Sequence, residues 1–201
     1  MVHRSGAVAT LLMLTLLLGA CATLPRGPER PLPQVAWAER LAGLQAVEHF
    51  TLSGRLAATN SSAGFSAGVR WLQQGDAAHL ELVGPMGFGA AHVELVGQTL
   101  SVTNGKGVKL EGAAAADELV AMLGFEPPLN SLRYWVVGAS DPALTARQSL
   151  DPEQRLLHLQ QGGWQIDYDE YTQVQQQWLP QRLTVTRDKL RLKLIISAWQ
   201  L

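Results

Sequence analysis

Gly64-Phe65-Ser66-Ala67-Gly68-Val69-Arg70-Trp71-Leu72 alternates with a period of two. Phe65, Ala67, Val69 and Trp71 fall on one side; Ser66, Gly68, Arg70 and Leu72 fall on the other. That period is the pattern of a β-strand with one buried face, and it rules out a helix over these residues. The same alternation extends in both directions. Phe50, Leu52 and Leu56 mark a strand before it; Leu80 and Leu82 mark one after it; Val93 and Leu95 alternate with His92 and Glu94 in a fourth. Residues 99–103 and 108–110 then flank Asn104-Gly105, the strongest hairpin signal in the chain. Connections this short join antiparallel neighbours, so the strands form a meander.

Beyond that block the period changes. Upstream, Val35, Trp37, Leu41, Leu44 and Val47 lie at helical spacing, with Glu39, Arg40 and Glu48 on the outer side. Downstream, residues 113–125 read as a helix: alanines first, Asp117 and Glu118 early, then Leu119, Val120, Met122 and Leu123 before Gly124. Pro127 and Pro128 break it. Asn130 or Ser131 is expected to cap a second short helix running through Trp135 to Gly138. Strand patterns return at 155–160, 164–168, 183–186 and 190–199, the last two turning at Arg187-Asp188. The expected fold is therefore α+β, one long antiparallel sheet with helices in two insertions.

Composition excludes several function classes. The 201 residues carry a net charge of −1, which offers no basic footprint for nucleic acid. Gly64-Phe65-Ser66-Ala67-Gly68 matches the nucleophile-elbow pattern, but an elbow needs a strand–turn–helix, and here the strand simply continues. Ser66 is read as a strand residue. An anchored esterase using Ser66 is the enzymatic alternative, and Ser66→Ala separates the two. His49, His79, His92 and His158 lie on separate elements without zinc spacing. Asp167, Asp169 and Glu170 lack the glycine and further ligands of a calcium loop. Gly105-Lys106-Gly107 is a hairpin tip and not a phosphate loop. No catalytic site is expected.

The N-terminus carries an address. His3 and Arg4 precede an apolar run over 7–18, shorter than a membrane span needs, and Leu18-Gly19-Ala20-Cys21 follows. An apolar residue, two small ones and a cysteine resemble the lipobox of bacterial lipoproteins. That resemblance implies cleavage after Ala20 and acylation of Cys21, the only cysteine. Ala22, not being Asp, then implies sorting to the outer membrane. An ordinary signal peptide with a chance cysteine accounts for less of this segment. The expected organisation is a signal peptide over 1–20, a lipidated Cys21 with a tether over 21–34, and one domain over 35–201. Pro25, Pro28, Pro31 and Pro33 make the tether a semi-rigid spacer.

Two apolar features remain. Gly84-Pro85-Met86-Gly87-Phe88-Gly89 places large apolar residues where a solvent-exposed turn belongs. It either folds back on the core or probes a membrane or an apolar ligand. In the helical insertions, Leu119, Met122, Leu123, Phe125, Leu129, Leu132 and Trp135 either cover a sheet face or wall a cavity. Patterning alone does not separate these readings.

Pro128-Leu129-Asn130-Ser131-Leu132-Arg133 followed by Trp135 resembles the signature of the LolB family of outer-membrane lipoprotein receptors. The agreement takes in the Trp37 helix, Phe50 through Gly54-Arg55, the strand over 65–71, Pro85-Met86-Gly87, Leu179-Pro180 and the strand over 193–199. Met86 stands where the family commonly has leucine. The resemblance implies an open, half-closed antiparallel β-barrel whose concave apolar side is covered by helices. It implies a cavity taking the acyl chains of lipoproteins from a LolA-like periplasmic carrier, with no cofactor, no nucleotide and no nucleic acid. Insertion into the inner leaflet of the outer membrane follows, and the loop residues Pro85, Met86, Gly87 and Phe88 take part in it. Candidate lining residues are Phe65, Trp71, Leu80, Leu82, Met122, Leu129, Leu132 and Trp135. A monomer facing the periplasm, with lipoproteins, carrier and outer-membrane lipid as partners, completes the expectation. The competing reading is an outer-membrane scaffold or assembly factor that binds envelope proteins and handles no lipid.

Overall fold

The structure is a computed structural model that describes residues 36–60, 64–85 and 90–201. Among them, β1 (His49–Thr59), β2 (Gly64–Gln74), β3 (Ala77–Val83), β4 (Ala91–Val96), β5 (Thr99–Thr103) and β6 (Lys109–Glu111) form one meander. A second meander holds β7 (Ala146–Leu150), β8 (Leu156–Gln161), β9 (Trp164–Val174), β10 (Gln177–Arg187) and β11 (Leu190–Gln200). Pairing of β1 with β11 fuses the two into an eleven-stranded antiparallel sheet of order β6-β5-β4-β3-β2-β1-β11-β10-β9-β8-β7. The edge strands β6 and β7 do not pair, so the barrel stays open. The segment joining those edges supplies α2 (Ala113–Leu123) and α3 (Leu129–Val136); α1 (Trp37–Gln45) precedes β1. α2 packs on β2, β5 and β6, and α3 packs on β10.

The alternation read from the sequence becomes the inner face. Along β2, Ala67, Val69 and Trp71 are buried while Ser66, Gly68 and Arg70 are exposed. Leu52, Val93, Leu192, Leu194 and Ile196 bury on the same side, and Phe50 meets Trp71 and Trp199 at ring-centroid distances of 5.7 and 5.6 Å. This core lies entirely within the compact unit Gln34–Leu201. The unit therefore has what it needs to fold without the preceding residues.

The strands have two ends. The connections after β1, β3, β5, β8 and β10 lie at one pole; those after β2, β4, β7 and β9 lie at the other. The residues bordering the apolar loop, Pro85 and Ala90, belong to the first pole.

Several expectations change in detail. The short helix α3 is not capped by Asn130 or Ser131; Pro128 precedes it, with no side-chain cap. Ser131 Oγ instead donates to Asp141 Oδ2 at 2.7 Å. Asn104-Gly105 marks a hairpin but not a two-residue turn. Asn104 Oδ1 accepts from the Lys106 and Val108 amides, and the left-handed residue is Gly107 at φ 77°. The last hairpin starts earlier than read: β10 begins at Gln177, and Pro180 sits inside it at a register shift. A proline has no N–H for the ladder, so it is tolerated there at an irregularity. β7, an edge strand without alternating burial, had no pattern to reveal it.

Candidate functional site

An apolar cavity lies between the inner sheet face and the two helices. β1 contributes Leu52 and Leu56; β2 contributes Val69 and Trp71; β3 contributes Leu80 and Leu82. Val93 of β4 and Leu192 and Leu194 of β11 complete the floor. The roof is Leu119 and Leu123 of α2, Phe125 and Pro127, and Leu129, Leu132 and Val136 of α3. The single polar group among these side chains is the Trp71 indole, and its Nε1–H donates to Gln73 Oε1 at 3.0 Å. Nothing in this lining would hold a metal, a nucleotide or a charged substrate; it solvates hydrocarbon. The volume is about 60 Å³, roughly the share of two waters.

Of the eight lining residues read from the sequence, Trp71, Leu80, Leu82, Leu129 and Leu132 face this cavity. Phe65 and Met122 do not. They border an open depression at the first pole together with Ala90, Asn104, Lys106 and Glu118. Trp135 does not either: it is fully buried, donates from Nε1 to Gln161 Oε1 at 2.8 Å, and packs 6.4 Å from Trp164. Its size and polar tip fit it to lock two elements together instead of lining a void. Leu52, Leu56, Leu192 and Leu194 were legible as inward strand positions, yet their convergence on one space depends on β1 pairing with β11. Pro85 is exposed. Met86, Gly87, Phe88 and Cys21 lie outside the described residues.

The roof is held unequally. On α3, Leu129, Leu132 and Val136 occupy positions i, i+3 and i+7 and face the cavity, while Ser131 and Trp135, at i and i+4, face away. Behind the helix, Gln161 uses its whole amide. Its Oε1 accepts from Trp135 Nε1 and from the Asp141 backbone N–H, at 2.8 and 2.9 Å. Its Nε2 donates to Asp141 O and Leu144 O, both at 2.9 Å. The Tyr168 hydroxyl donates to Trp135 O at 3.0 Å, and Arg133 Nη1 donates to Gly75 O at 3.1 Å. Burial, with the neighbouring Tyr171, raises the Tyr168 pKa well above its ordinary value; burial, then Asp151, raises that of Tyr171. On α2, Glu118 Oε1 accepts from Asn104 Nδ2 at 3.2 Å.

The discounted catalytic signals occupy ordinary positions. Ser66 is an exposed strand residue opposite Ala57. His158 Nδ1 lies 2.6 Å from Asp167 Oδ1, and His79 Nδ1 lies 3.6 Å from Glu94 Oε1, both on the surface. Among the described residues, no three His, Cys, Asp or Glu side chains gather as metal ligands would.

The sequence matches the family described as Outer membrane lipoprotein LolB over residues 48–199. This chain belongs to the LolB family. The outer-membrane lipoprotein LolB of Nitrosococcus oceani is 38% identical over 198 residues, covering 96% of this chain and 97% of that protein. The LolB of Chromohalobacter salexigens is 30% identical over 206 residues, covering 99% and 95%. Among solved structures, a DUF1329 family protein from Desulfovibrio piger superposes with a TM-score of 0.56 at 7% identity, covering 82% of this chain and 90% of that one. A LolA superfamily protein from Nitrosomonas europaea does so with a TM-score of 0.53 at 9% identity, covering 83% and 94%. These two likenesses concern the fold. The fold shared with these two structures is the open antiparallel sheet with helices over one face, and the Pro128–Trp135 LolB signature is the helix whose two faces divide cavity wall from anchor. Like the relatives it matches, this LolB-family chain is an outer-membrane lipoprotein. No helix among the described residues is long and apolar enough to cross a membrane.

Proposed function

We propose that this LolB-family chain accepts acylated lipoproteins from a LolA-like periplasmic carrier and inserts them into the inner leaflet of the outer membrane. The observation that carries this is the cavity: its walls are hydrocarbon throughout, and it lies beneath helices on an open sheet. An acyl chain of sixteen carbons in water costs roughly 12 kcal/mol at about 0.8 kcal/mol per methylene, so it has to be buried at every stage of transfer. The exchange runs downhill on differences in burial; ~1.4 kcal/mol sets a tenfold preference. The protein acts as a receptor and makes or breaks no covalent bond.

At about 60 Å³ the cavity is far below the ~300 Å³ or more that even small ligands occupy. Acceptance therefore requires the roof to move, and α2 is the part free to do so, since α3 is tied down by Ser131, Arg133 and Trp135. Residues 1–20 serve as signal peptide, Cys21 as the acylated anchor and 21–34 as tether. Pro85, Met86, Gly87 and Phe88 form the hydrophobic tip used in the insertion step.

The test uses a lipoprotein-loaded LolA-type carrier, this protein with Cys21→Ala, and liposomes. Transfer to the protein and onward to liposomes is expected. Met86→Glu is expected to keep the first step and impair the second. A protein that takes no lipoprotein from the carrier, and no fluorescent fatty acid, refutes the reading and leaves a scaffold.

A further inference from the structure

The two poles of the sheet differ in charge, although the chain is nearly neutral. At the pole where Pro85 and Ala90 border the apolar loop, Lys106, Lys109, Arg147, Arg187, Lys189 and Arg191 come together from three connections. The acidic groups there are Asp188, Glu118, which accepts from Asn104, and Glu111, which pairs with Lys109 at 3.4 Å. At the opposite pole Glu48, Asp76, Asp151 and Glu153 stand against Arg40, Arg133 and Arg155, and Arg155 is paired at 2.7 Å with Asp151 and 3.2 Å with Glu153. Among the described residues, Lys106, Arg147, Lys189 and Arg191 make no ion pair, and Arg187 stacks on the Trp164 ring at 4.2 Å. Arg147 and Arg187 also border an open depression of about 590 Å³ lined by Trp164 and two glycines, Gly162 and Gly163, with Gln160 and Gln165 along its side and Asp188 as its one carboxylate.

We propose that this basic pole docks on the anionic phospholipid headgroups of the bilayer, with a headgroup phosphate seated between Arg147 and Arg187. The proposal rests on the membrane-delivery reading above. Charge complementarity selects the occupant: two guanidinium groups against one carboxylate around a polar depression, on a pole with further lysines, match phosphate, whereas the acidic pole would be repelled. The sequence before the described domain leaves the orientation to the charge. Fourteen residues lie between Cys21 and Ala36 and, at about 3.1 Å each if extended, could span some 45 Å. A tether that long keeps either pole within reach of the membrane, so it does not orient the domain. The charge does, and it turns toward the lipid the pole that holds Pro85 and Ala90.

The Gln34–Leu201 domain, which has no acyl anchor, is to be mixed with vesicles of phosphatidylcholine, with and without phosphatidylglycerol, and pelleted. Binding is expected only with phosphatidylglycerol and is expected to weaken with salt. Each cation near an anionic surface is worth about fivefold in partitioning, so Arg147→Glu with Lys189→Glu is expected to cost at least twenty-five-fold. Among the described residues neither side chain makes an ion pair or hydrogen bond, so the variant should fold normally. Arg55→Glu with Arg70→Glu, in the middle of the outer face, should leave binding unchanged. Equal binding to both vesicles, no binding, or loss in the outer-face variant instead overturns the proposal. Uptake of a fluorescent fatty acid by the same samples keeps the two readings apart: uptake without vesicle binding refutes only the docking, while absence of uptake refutes the receptor function.

Discussion

Replacing Gln161 by leucine tests whether α3 is the fixed half of the roof. The side chain is 2% exposed and makes four hydrogen bonds between 2.8 and 2.9 Å. Leucine fills most of the space but strands the Trp135 indole N–H, the Asp141 N–H and the carbonyls of Asp141 and Leu144. At about 1 kcal/mol net for each lost bond the domain is expected to lose some 4 kcal/mol, out of a total that for such domains lies at about 5–15 kcal/mol. The variant should therefore still fold, with a Tm lower by about 10 °C at this chain length. Urea unfolding followed by tryptophan fluorescence measures the first quantity. Hydrogen exchange locates it: protection should fall in Leu129–Val136 and be unchanged in Ala113–Leu123. Gln165→Leu is the control, because its amide bonds only to the Asp167 carboxylate on the surface. A loss below about 1 kcal/mol for Gln161→Leu, or exchange rising in α2 instead of α3, would refute the assignment.

In the unmodified protein, amides of α2 are expected to exchange faster than those of α3, and bound fatty acid should narrow the gap; equal rates would count against α2 as the moving part. Gly54→Ala should destabilise by several times the ~1 kcal/mol of an ordinary substitution, because a Cβ there runs into Ile195 O at the β1–β11 bulge; Gly68→Ala, with 3.7 Å to Val83 O, should be nearly silent in the same unfolding assay. Leu80→Gln, at a half-buried cavity position, should keep the fold and weaken fatty-acid binding about tenfold by placing an unpartnered amide in the apolar lining; wild-type affinity would contradict the cavity assignment. The pKa values of Tyr168 and Tyr171 are raised by folding, so the stability they contribute is complete below the unfolded value of about 10 and is lost as pH rises above it. Tyr168→Phe with Tyr171→Phe should flatten the fall in stability between pH 9 and 11, and an unchanged slope would show that the burial has been misjudged.

What the sequence determined by itself is what the chain settles locally. The period of two over 65–72, the helical spacing over 113–125 and the asparagine-led hairpin at 104 all appear where they were read, because each depends on neighbours within a few residues. The two faces of α3 were equally legible in principle, since Leu129 and Leu132 stand three apart and Ser131 and Trp135 four apart. Trp135 was nonetheless assigned to the cavity, because nothing local says that Gln161, twenty-six residues on, waits for its indole. Pro180 hid the start of β10, and β7 had no alternation to show. The tertiary structure alone decided that β1 pairs with β11, which turns two meanders into one open sheet and brings Leu52 and Leu192 to the same space. It alone decided how much of that space stays empty and that Lys106, Arg147 and Arg187 share a pole. Volume and field are sums over groups distant along the chain, and no window of sequence contains them.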